Sequence, residues 1–410
     1  MARPTYACID LDAIIQNCRT IKRLVGGRKI CAAVKADGYG HGAPAVAKAM
    51  SVAGVDLFAV AMTEEAVELR EAGIREPIVL LTAVPPSDVS TILEHNVTSC
   101  VCDEGFAREL SAETQRQNTP AAVHINVDTG MRRVGLPHEN ATESILRIAN
   151  LPGIEIDGLF THFACSEDAD ISAEQLRLFK GVIRSLDATG MDLPMLHVAN
   201  STATLTMPEA YLDCVRPGLI LYGMQPPSIQ KPVIELAPAL SLRTEVSFCK
   251  RVPPDTPLGY GHTFRTRDSA VIATLPIGYH DGYLRQYSNT GEVLVRGRRA
   301  PVVGRVCMDQ SLADVTRISD VEAGDEVVIY GQQGESVISI EEMARRLGRI
   351  PYELTCSVGS RVRRRYMLRE QMMGETPMRS LVPPDVMQRI FQAAEADETP
   401  VHKAARRGAA

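Results

Sequence analysis

Residues 30–42 read Ile30-Cys-Ala-Ala-Val-Lys-Ala-Asp-Gly-Tyr-Gly-His-Gly42. A hydrophobic run ends at a single lysine, Lys35, and then breaks into a turn that is rich in glycine. This pattern predicts a buried strand that carries an amine at its C-terminal end, followed by a loop whose backbone can approach a ligand closely. An apolar setting lowers the pKa of an ammonium group, so Lys35 is a candidate nucleophile or Schiff-base lysine. The alternative is that Lys35 only extends from the strand end to water.

Further apolar strands alternate with helical patterns on the C-terminal side of this stretch. The predicted strands are Lys29–Lys35, Asp56–Met62, Pro77–Ala83, Ser99–Asp103, Ala121–Asp128, Ile154–Phe163, Met195–Asn200 and Cys214–Gly223. Eight apolar strands alternating with helices are typical of a parallel (β/α)8 barrel of the TIM type. The fold class is therefore α/β for this part of the chain.

The composition and the hydrophobic pattern of the sequence change after Met224. Up to about Tyr366 the chain is rich in valine, glycine and short alternating runs, which predicts a mainly antiparallel β domain. One helix, Ser339–Leu347, is predicted within it from a Ser-Ile-Glu-Glu capping pattern. We predict a barrel domain at residues 1–236, a β domain at residues 237–368, and a partly disordered appendage at residues 369–410.

Composition excludes several classes of function. The chain has 410 residues, of which 45% are hydrophobic and 23% are charged, and its formal net charge is -6. The negative charge and the lack of a long basic run argue against nucleic acid as a partner. No apolar stretch is long enough to span a membrane and no signal peptide is evident, so we expect a cytoplasmic protein. The 10 cysteines are scattered, which favours free thiols over disulfides and predicts no metal site.

In a barrel of this type, reactive groups belong at the C-terminal ends of the strands. Successive predicted strand ends supply Lys35, then Asp128 followed by Arg133, His162, Asn200-Ser201, and Arg216-Pro-Gly218. A strand-end lysine together with a cradle for one phosphate suggests pyridoxal phosphate. A Schiff-base aldolase without cofactor and a phosphosugar isomerase are alternatives, but neither explains the presence of Arg216.

Several motifs resemble one known family. Ala33–Gly42 is similar to the cofactor-lysine signature of alanine racemases. Further stretches resemble that family in the same order along the chain: Val127–Gly135, Gly158–Phe163, His197–Ser201, Arg216–Gly218, Gly259–Thr263, Pro276–Gly282 and Val303–Asp309. The similarity covers about Tyr6 to Tyr366. It leaves only the C-terminal tail outside.

The resemblance implies a homodimeric pyridoxal 5'-phosphate enzyme in which the β domain of one subunit closes the barrel mouth of the other. Lys35 would hold the cofactor and act as base on one face of the α-carbon of the substrate. Tyr260, from the partner subunit, would act on the opposite face, as racemisation requires. His162 and Arg216 would ease the ionisation of Tyr260. Arg216 would also face the pyridine nitrogen, with His197 orienting it.

The resemblance also assigns the binding residues. The cofactor phosphate would be bound by Tyr39, Asn200, Ser201 and the backbone amides of Gly218 and Leu219. The substrate carboxylate would be bound by Arg133 and the backbone amide of Met308. Asp309 and Tyr279, from the second subunit, would shape the entrance.

Two departures from the family pattern affect these assignments. Asn126 replaces a lysine that many members carbamylate to brace the carboxylate-binding arginine, so we expect a chloride ion near Asn126 and Arg133. Ser360 replaces a gate tyrosine of some relatives, which would enlarge the pocket and could admit serine beside alanine. The resemblance therefore implies a racemase that makes D-alanine for peptidoglycan.

Other functions remain open from the sequence. One is a racemase of broader specificity, and another is a decarboxylase of the same cofactor class, against which Arg216 and Tyr260 argue. A single-barrel cofactor carrier would lack Tyr260, Met308 and Asp309, and an inactive regulator would have a broken catalytic pair.

Overall fold

The structure is a computed structural model that describes residues 3–368, 372–373 and 376–377. These residues form two compact units. The barrel unit contains Ile14–Gly38 and Val46–Leu236. The sheet unit contains the described chain up to Ala13, then Tyr39–Ala45, and the described chain from Ala237 onward. Most of the predicted appendage at 369–410 lies outside the described residues.

The strands and helices are numbered in chain order. Strands β1–β10 are Tyr6–Asp10, Lys29–Ala33, Leu57–Val60, Ile78–Leu80, Ser99–Val101, Ala121–Asp128, Leu136–Pro137, Ile154–Phe160, Met195–His197 and Cys214–Val215. Strands β11–β23 are Leu240–Glu245, Phe248–Val252, Pro257–Leu258, Phe264–Arg265, Ala270–Leu275, Glu292–Val295, Arg298–Pro301, Ser311–Asp314, Glu326–Gln333, Ser336–Ile338, Arg363–Met367, Met372–Met373 and Thr376–Pro377.

Helices α1–α11 are Leu11–Leu24, Lys35–Gly40, Ala43–Val52, Thr63–Glu71, Val89–Glu94, Glu104–Gln117, Ala141–Ala149, Ala169–Asp187, Ser201–Thr206, Ile340–Arg346 and Pro351–Cys356. Short 3-10 turns occur at Pro86–Asp88, Pro208–Ala210, Leu219–Tyr222, Tyr260–His262, Tyr279–Asp281 and Arg285–Tyr287. Among the described residues, none of the helices combines the length and the apolar character needed to cross a membrane.

The barrel unit contains a nearly closed parallel barrel, so the predicted fold class is confirmed. Its strands follow the order β4-β3-β2-β10-β9-β8-β6-β5, and all of these neighbours are parallel. A parallel bridge between Val79 and Thr98 joins β4 to the start of β5. The predicted final strand, Cys214–Gly223, was too long. It ends at Val215, because Pro217 has no N–H for a ladder and the chain turns into a 3-10 helix at Leu219.

Side chains alternate along β6, and this alternation defines the interior of the barrel. Val123, Ile125 and Val127 pack in a buried cluster that includes helix residues. Because strand side chains point alternately to opposite faces, the intervening polar residues face the interior of the barrel. These polar residues are His124, Asn126 and Asp128. One strand therefore sends three polar groups into the barrel.

The sheet unit is mainly antiparallel, as predicted. Its largest sheet has the order β17-β16-β19-β11-β1-β21, with β20 beside β19. A second sheet contains β12, β15 and β18. The N-terminal strand β1 pairs antiparallel with β11 and parallel with β21, so the chain begins in this unit. The predicted helix is α10, and Ser339 caps it by accepting a hydrogen bond from the backbone N–H of Glu342.

Candidate active site

Lys35 lies in an unusual backbone turn directly after β2. Five consecutive residues have positive φ angles: Ala36 (53°), Asp37 (54°), Gly38 (58°), Tyr39 (55°) and Gly40 (81°). They form a left-handed turn, in which the N–H of Gly38 donates to the carbonyl of Val34 at 2.8 Å. For residues other than glycine, this conformation costs about 1–2 kcal/mol each, and such strain concentrates at functional sites. The carboxylate of Glu65 accepts the N–H of Ala36 at 2.6 Å and helps to hold the turn.

The glycines that follow Lys35 are required by contacts within the sheet unit. A Cβ atom at Gly40 would lie 2.7 Å from the carbonyl carbon of Thr355, and one at Gly42 would lie 2.9 Å from Cζ of Tyr366. Both glycines also have positive φ. The ring of Tyr39 meets that of Tyr352 edge-on, at 6.4 Å between centroids. The spacing of these two glycines therefore allows the segment to approach Thr355 and Tyr366 closely.

Arg216 is the centre of a buried network in the barrel unit. Its Nη1 donates to Nδ1 of His197 at 2.8 Å. Its Nη2 donates to the carbonyls of Thr161 at 2.8 Å and Val198 at 3.2 Å, and to Nδ1 of His162 at 3.2 Å. No carboxylate of the described residues pairs with this guanidinium, and none of them accepts a hydrogen bond from its Nε–H group. The structure thus brings together three of the predicted site residues around one donor-only cation.

The hydrogen bonds of Arg216 fix the protonation of the histidines. A guanidinium only donates, so Nδ1 of His197 and Nδ1 of His162 must both be unprotonated acceptors. Burial, followed by the charge of Arg216, lowers the pKa of His162 to about 3 and holds that of His197 well below its usual range. Both imidazoles are therefore neutral near pH 7, and each has its proton on Nε2.

His124 extends this network and was not among the predicted residues. Nε2 of His197 donates to Nδ1 of His124 at 3.0 Å. Burial and Arg216 lower the pKa of His124 to about 3, so it too is neutral. A Cβ atom at Gly158 would lie 2.5 Å from Cγ of His124, so only glycine leaves room for the ring. The ring of Phe160 stacks on His197 at 4.9 Å between centroids.

The predicted phosphate-binding residues meet where α9 and the 3-10 turn at Leu219 begin. Oγ of Ser201 accepts the backbone N–H of Gly218 at 2.9 Å. Oδ1 of Asn200 caps α9 by accepting the N–H of Ala203 at 3.1 Å. The first N–H groups of a helix or 3-10 turn have no acceptor within it, so two sets of donors adjoin here. Such a set of backbone N–H groups suits a phosphate.

The segment that carries Arg133 follows β6. Oδ1 of Asp128 accepts the backbone N–H groups of Gly130 at 2.9 Å and Arg132 at 3.0 Å, which folds the segment back on itself. The Arg133 side chain is exposed, and Asn126 is buried. Both line a small cavity of about 10 Å³ together with His162 and Thr161. The side-chain amide of Asn126 has no hydrogen-bond partner among the described residues.

Gln175 was also missed from the sequence. Its Nε2 donates to the carbonyl of His162 at 3.1 Å and to Oγ1 of Thr129 at 3.2 Å. Its Oε1 accepts the N–H of Ala164 at 2.8 Å. This single buried amide of α8 therefore holds the backbone of the histidine segment beside that of the arginine segment. No local motif marks it, because its role depends on contacts with two separate strand ends.

In the sheet unit, the predicted residues lie on exposed loops. The side chain of Tyr260 is 72% exposed, that of Met308 is 52% exposed, and that of Tyr279 is 40% exposed. Gly259 and Gly261, on either side of Tyr260, have φ of 67° and 68°. Backbone hydrogen bonds join the Tyr279 turn to the Met308 loop: the N–H of Tyr279 donates to the carbonyl of Cys307 at 3.0 Å.

Asp309 belongs to a charged cluster on this unit. Its carboxylate pairs with Arg361 at 2.7 Å, and Arg361 also pairs with the fully buried Asp281 at 2.7 Å. Arg3 donates to the other oxygen of Asp281 at 2.8 Å. Ser360, next to Arg361, is exposed. Among the described residues, no group of three or more histidine, cysteine or carboxylate side chains could hold a metal ion.

The barrel unit therefore offers an amine, a donor-only cation, neutral imidazoles and a set of backbone N–H groups. The backbone N–H groups can bind an anion. Arg216 can donate a hydrogen bond to an aromatic nitrogen without giving up its proton. The sheet unit offers an exposed phenol and a loop that carries Met308 and Asp309.

Comparison with known proteins identifies the family of the chain. The family "alanine racemase, N-terminal domain" matches residues 9–226, and "alanine racemase, C-terminal domain" matches residues 239–366. Alanine racemase 2 of Caldanaerobacter subterraneus subsp. tengcongensis is 43% identical over 374 residues, which are 90% of this chain and 96% of that protein. The alanine racemase of Clostridium tetani is 40% identical over 377 residues, 91% of this chain and 97% of that protein.

Solved structures give the same result. An alanine racemase of Clostridium difficile 630 superimposes with a TM-score of 0.85 at 36% identity, covering 89% of this chain and 96% of that one. The alanine racemase of Bacillus anthracis with bound L-Ala-P gives a TM-score of 0.85 at 34% identity, covering 93% and 100%. The chain therefore belongs to the alanine racemase family of amino-acid isomerases.

Proposed function

We propose that the protein interconverts L- and D-alanine and that pyridoxal 5'-phosphate is its cofactor. The observation that carries the proposal is the buried Arg216, which holds two neutral histidines and keeps its Nε–H without an acceptor among the described residues. This N–H remains available to donate to a ligand. The pyridine nitrogen of the cofactor is a suitable acceptor. The backbone N–H groups of Leu219 and of Gly218, which in this structure donates to Oγ of Ser201, would hold the phosphate together with Ser201, Asn200 and Tyr39.

The chemistry divides between the cofactor and the protein. Pyridoxal phosphate, when bound, supplies an aldehyde that reacts with amines and a ring that stabilises negative charge at the α-carbon of an amino acid. Lys35 would anchor the cofactor and move the α-proton on one face. The partner subunit's Tyr260 would move it on the opposite face, because a proton removed from one side must be returned on the other.

His162 would prepare the phenol of Tyr260 for this role. Arg216 occupies Nδ1 of His162, so the imidazole proton lies on Nε2 and can be donated. A hydrogen bond donated to a phenolate favours the ionised phenol, whose unperturbed pKa is about 10. Arg216 adds positive charge behind His162. A guanidinium cannot practically give up its proton, so Arg216 would leave the ring nitrogen unprotonated and would favour rapid return of the α-proton.

Arg133 and the backbone amide of Met308 would bind the carboxylate of alanine, and Asp309 and Tyr279 would line the entrance. We propose a chloride ion in the cavity beside Asn126 and Arg133, because the Asn126 amide has no partner among the described residues and a cation lines the same cavity. Alanine KM should rise when chloride is replaced by a large anion such as gluconate. An Asn126→Lys variant should lose this dependence. Indifference of the wild-type protein to the replacement would remove the chloride from the proposal.

We infer that the protein is a homodimer with shared active sites. What supports this is the exposure of Tyr260, Met308 and Tyr279, three large side chains that a partner subunit would cover. Each sheet unit would complete the site of the other subunit. The D-alanine produced would serve peptidoglycan synthesis.

A broader substrate range is a second candidate, favoured by one residue. Ser360 is small and exposed where some relatives have a tyrosine, so the proposed pocket could also admit serine. The ratio of kcat/KM for serine to that for alanine should fall in a Ser360→Tyr variant. An unchanged ratio would leave alanine as the only proposed substrate.

One experiment tests the main proposal. Purified protein is mixed with L-alanine in deuterium oxide, and loss of the α-proton is followed together with appearance of D-alanine. The absorbance spectrum of the protein reports bound cofactor in the same sample. We expect both events at comparable rates. A protein that has bound cofactor and exchanges no α-proton would overturn the proposal.

A further inference from the structure

The two cysteines at the end of β5 form a close pair. Cys100 lies on the strand and is fully buried, whereas Cys102 follows the last strand residue, Val101, and is partly exposed. Side chains two residues apart on a strand point to the same face. Their sulfur atoms are 3.5 Å apart, close enough for one thiol to donate to the other.

The two thiols differ in reactivity. The hydrogen bond from Cys100 lowers the pKa of Cys102, and the nearby backbone amide of Gly135 adds to this lowering. The pKa of Cys100 is raised by the same hydrogen bond and by burial. By contrast, burial raises the pKa of Cys18 and Cys31 to about 12. A partly exposed thiol that ionises readily, next to a buried thiol, is the arrangement of an attacking and a resolving cysteine.

This pair also touches the segment that carries Arg133. The backbone of Gly135, which ends that segment and has φ of 117°, lies beside the Cys102 sulfur. A Cβ atom at Gly135 would lie 3.0 Å from the side-chain oxygen of Asn126, so the segment is closely packed there. A chemical change at Cys102 therefore alters the surroundings of Gly135, which is two residues from Arg133.

We propose that Cys100 and Cys102 are a site of reversible oxidation by peroxides, and that oxidation displaces the Arg133 segment. The Cys102 thiolate attacks a peroxide oxygen, which breaks the O–O bond, and forms a sulfenic acid with release of water or an alcohol. The Cys100 thiol then attacks the Cys102 sulfur, which forms the disulfide and releases water. Two thiols lose two hydrogens, and one peroxide is reduced.

The small ring closed by Cys-Val-Cys explains both reversibility and the effect on the site. Two cysteines on extended backbone do not have the short Cβ–Cβ separation of a relaxed disulfide, so the bond is strained and easily reduced. Closing the ring draws the Cys102 sulfur toward Cys100. The backbone of Gly135, which lies beside that sulfur, then loses this contact, and the end of the Arg133 segment shifts.

The test uses the holoenzyme treated with hydrogen peroxide, alkylated, and digested with trypsin. Residues 76–108 form one tryptic peptide, because no lysine or arginine lies between Arg75 and Arg108, and its cysteines are Cys100 and Cys102. We expect this peptide to lose about 2 Da and to resist alkylation until it is treated with dithiothreitol. Alkylation of both cysteines after peroxide treatment would overturn the proposal.

Three variants separate the steps. In Cys100→Ser, oxidation of Cys102 should continue to the sulfinic acid because no second thiol is present to form the disulfide. The 76–108 peptide should then gain about 32 Da and should not recover on reduction. Cys102→Ser should show neither change. Cys249→Ser, a partly exposed cysteine on β12, is the matched control and should behave as the wild type. A 2 Da loss that survives in Cys102→Ser would contradict the assigned roles.

Activity gives the second measurement. We expect oxidation to lower kcat/KM for alanine by about tenfold, restored by dithiothreitol, because small displacements of a binding residue cost such factors. This expectation rests on the proposed role of Arg133, whereas the change in mass does not. A disulfide that forms without loss of activity would overturn the coupling to Arg133, and a protein without racemase activity could still show the disulfide.

Discussion

In the barrel unit, Arg216 holds His197 and His162 by hydrogen bonds of 2.8 and 3.2 Å inside the protein, whereas in the sheet unit Tyr260 and Met308 are more than half exposed. The first group is fixed by its own fold, down to the tautomer of each histidine. Tyr260 and Met308 would need a partner subunit to cover them. In a site that contains both groups, the Arg216 network would supply preorganised electrostatics. The positions of Tyr260 and Met308 would instead depend on how the subunits assemble.

The largest expected effect tests the barrel side of this contrast. Lys35→Ala removes the amine that we propose both anchors the cofactor and moves the α-proton. We expect racemisation to fall by about 10⁴-fold or more. The absorbance of bound cofactor should shift or disappear in the same variant. Activity within tenfold of wild type would contradict the assignment of Lys35.

Tyr260→Phe should have the next largest effect and should act on one face only. We expect racemisation to fall by about 10³-fold, while α-proton exchange in deuterium oxide persists for one enantiomer and is lost for the other. Loss of exchange for both enantiomers would assign Tyr260 to structure and not to proton transfer.

Mixing these two variants tests whether the exposed residues serve another subunit. In a mixed dimer of Lys35→Ala and Tyr260→Phe subunits, one site carries both substitutions and the other carries none. Reassociated mixtures should therefore recover up to about a quarter of wild-type activity. Each variant refolded alone is the control. Failure to recover activity in a mixture shown to exchange subunits would place both residues in the same subunit's site.

His124 gives a smaller effect that sharpens the account of the buried side. His124→Asn can keep an acceptor for Nε2–H of His197, whereas His124→Leu removes it and leaves a buried donor unpaired. Such a loss costs about 1–3 kcal/mol. We expect His124→Leu to lower kcat by about 10- to 100-fold and to shift the pH profile, with His124→Asn between it and wild type. Equal effects of the two variants would mean that His124 only fills space.

Much of the fold could be predicted, because local patterns mark barrel strands. All eight barrel strands were predicted in the correct order. Several predicted strands were too long, mainly at the ends where the chain stops pairing with its neighbouring strand. Strand β1 was not assigned to its sheet, since its pairing with β11 and β21 joins residues far apart in the sequence. The left-handed turn after Lys35 was missed because Ala36 and Tyr39 do not favour positive φ.

The site was predicted unevenly for physical reasons. The residues of short motifs, such as Arg216 and His197, were named from the sequence. His124 was missed, although the sequence held a signal: His124, Asn126 and Asp128 alternate with valine and isoleucine, as polar residues facing a barrel interior do. Gln175 had no such signal, because its role comes from two loops that the sequence does not bring together.

The smallest expected effect is on the pH dependence of the free energy of unfolding. It comes from the buried histidines of the barrel unit and not from the exposed residues of the sheet unit. Burial and Arg216 lower the pKa of His162 and of His124 to about 3 in the folded state, against about 6.5 when unfolded. Between these values the unfolded chain binds more protons, so the free energy of unfolding falls as the pH drops below about 6.5 and is unaffected above it.

Each of these histidines can add up to about 1.4 kcal/mol per pH unit to that slope. His124→Asn should therefore make the slope shallower by about 1 kcal/mol per pH unit between about pH 5 and 6, a window above the titration of ordinary carboxylates. Urea unfolding at a series of pH values measures it, and the slopes of variant and wild type should coincide above about pH 7. Identical slopes at low pH would mean that His124 is already charged in the folded protein. The hydrogen bond from His197 would then have to be reversed or lost.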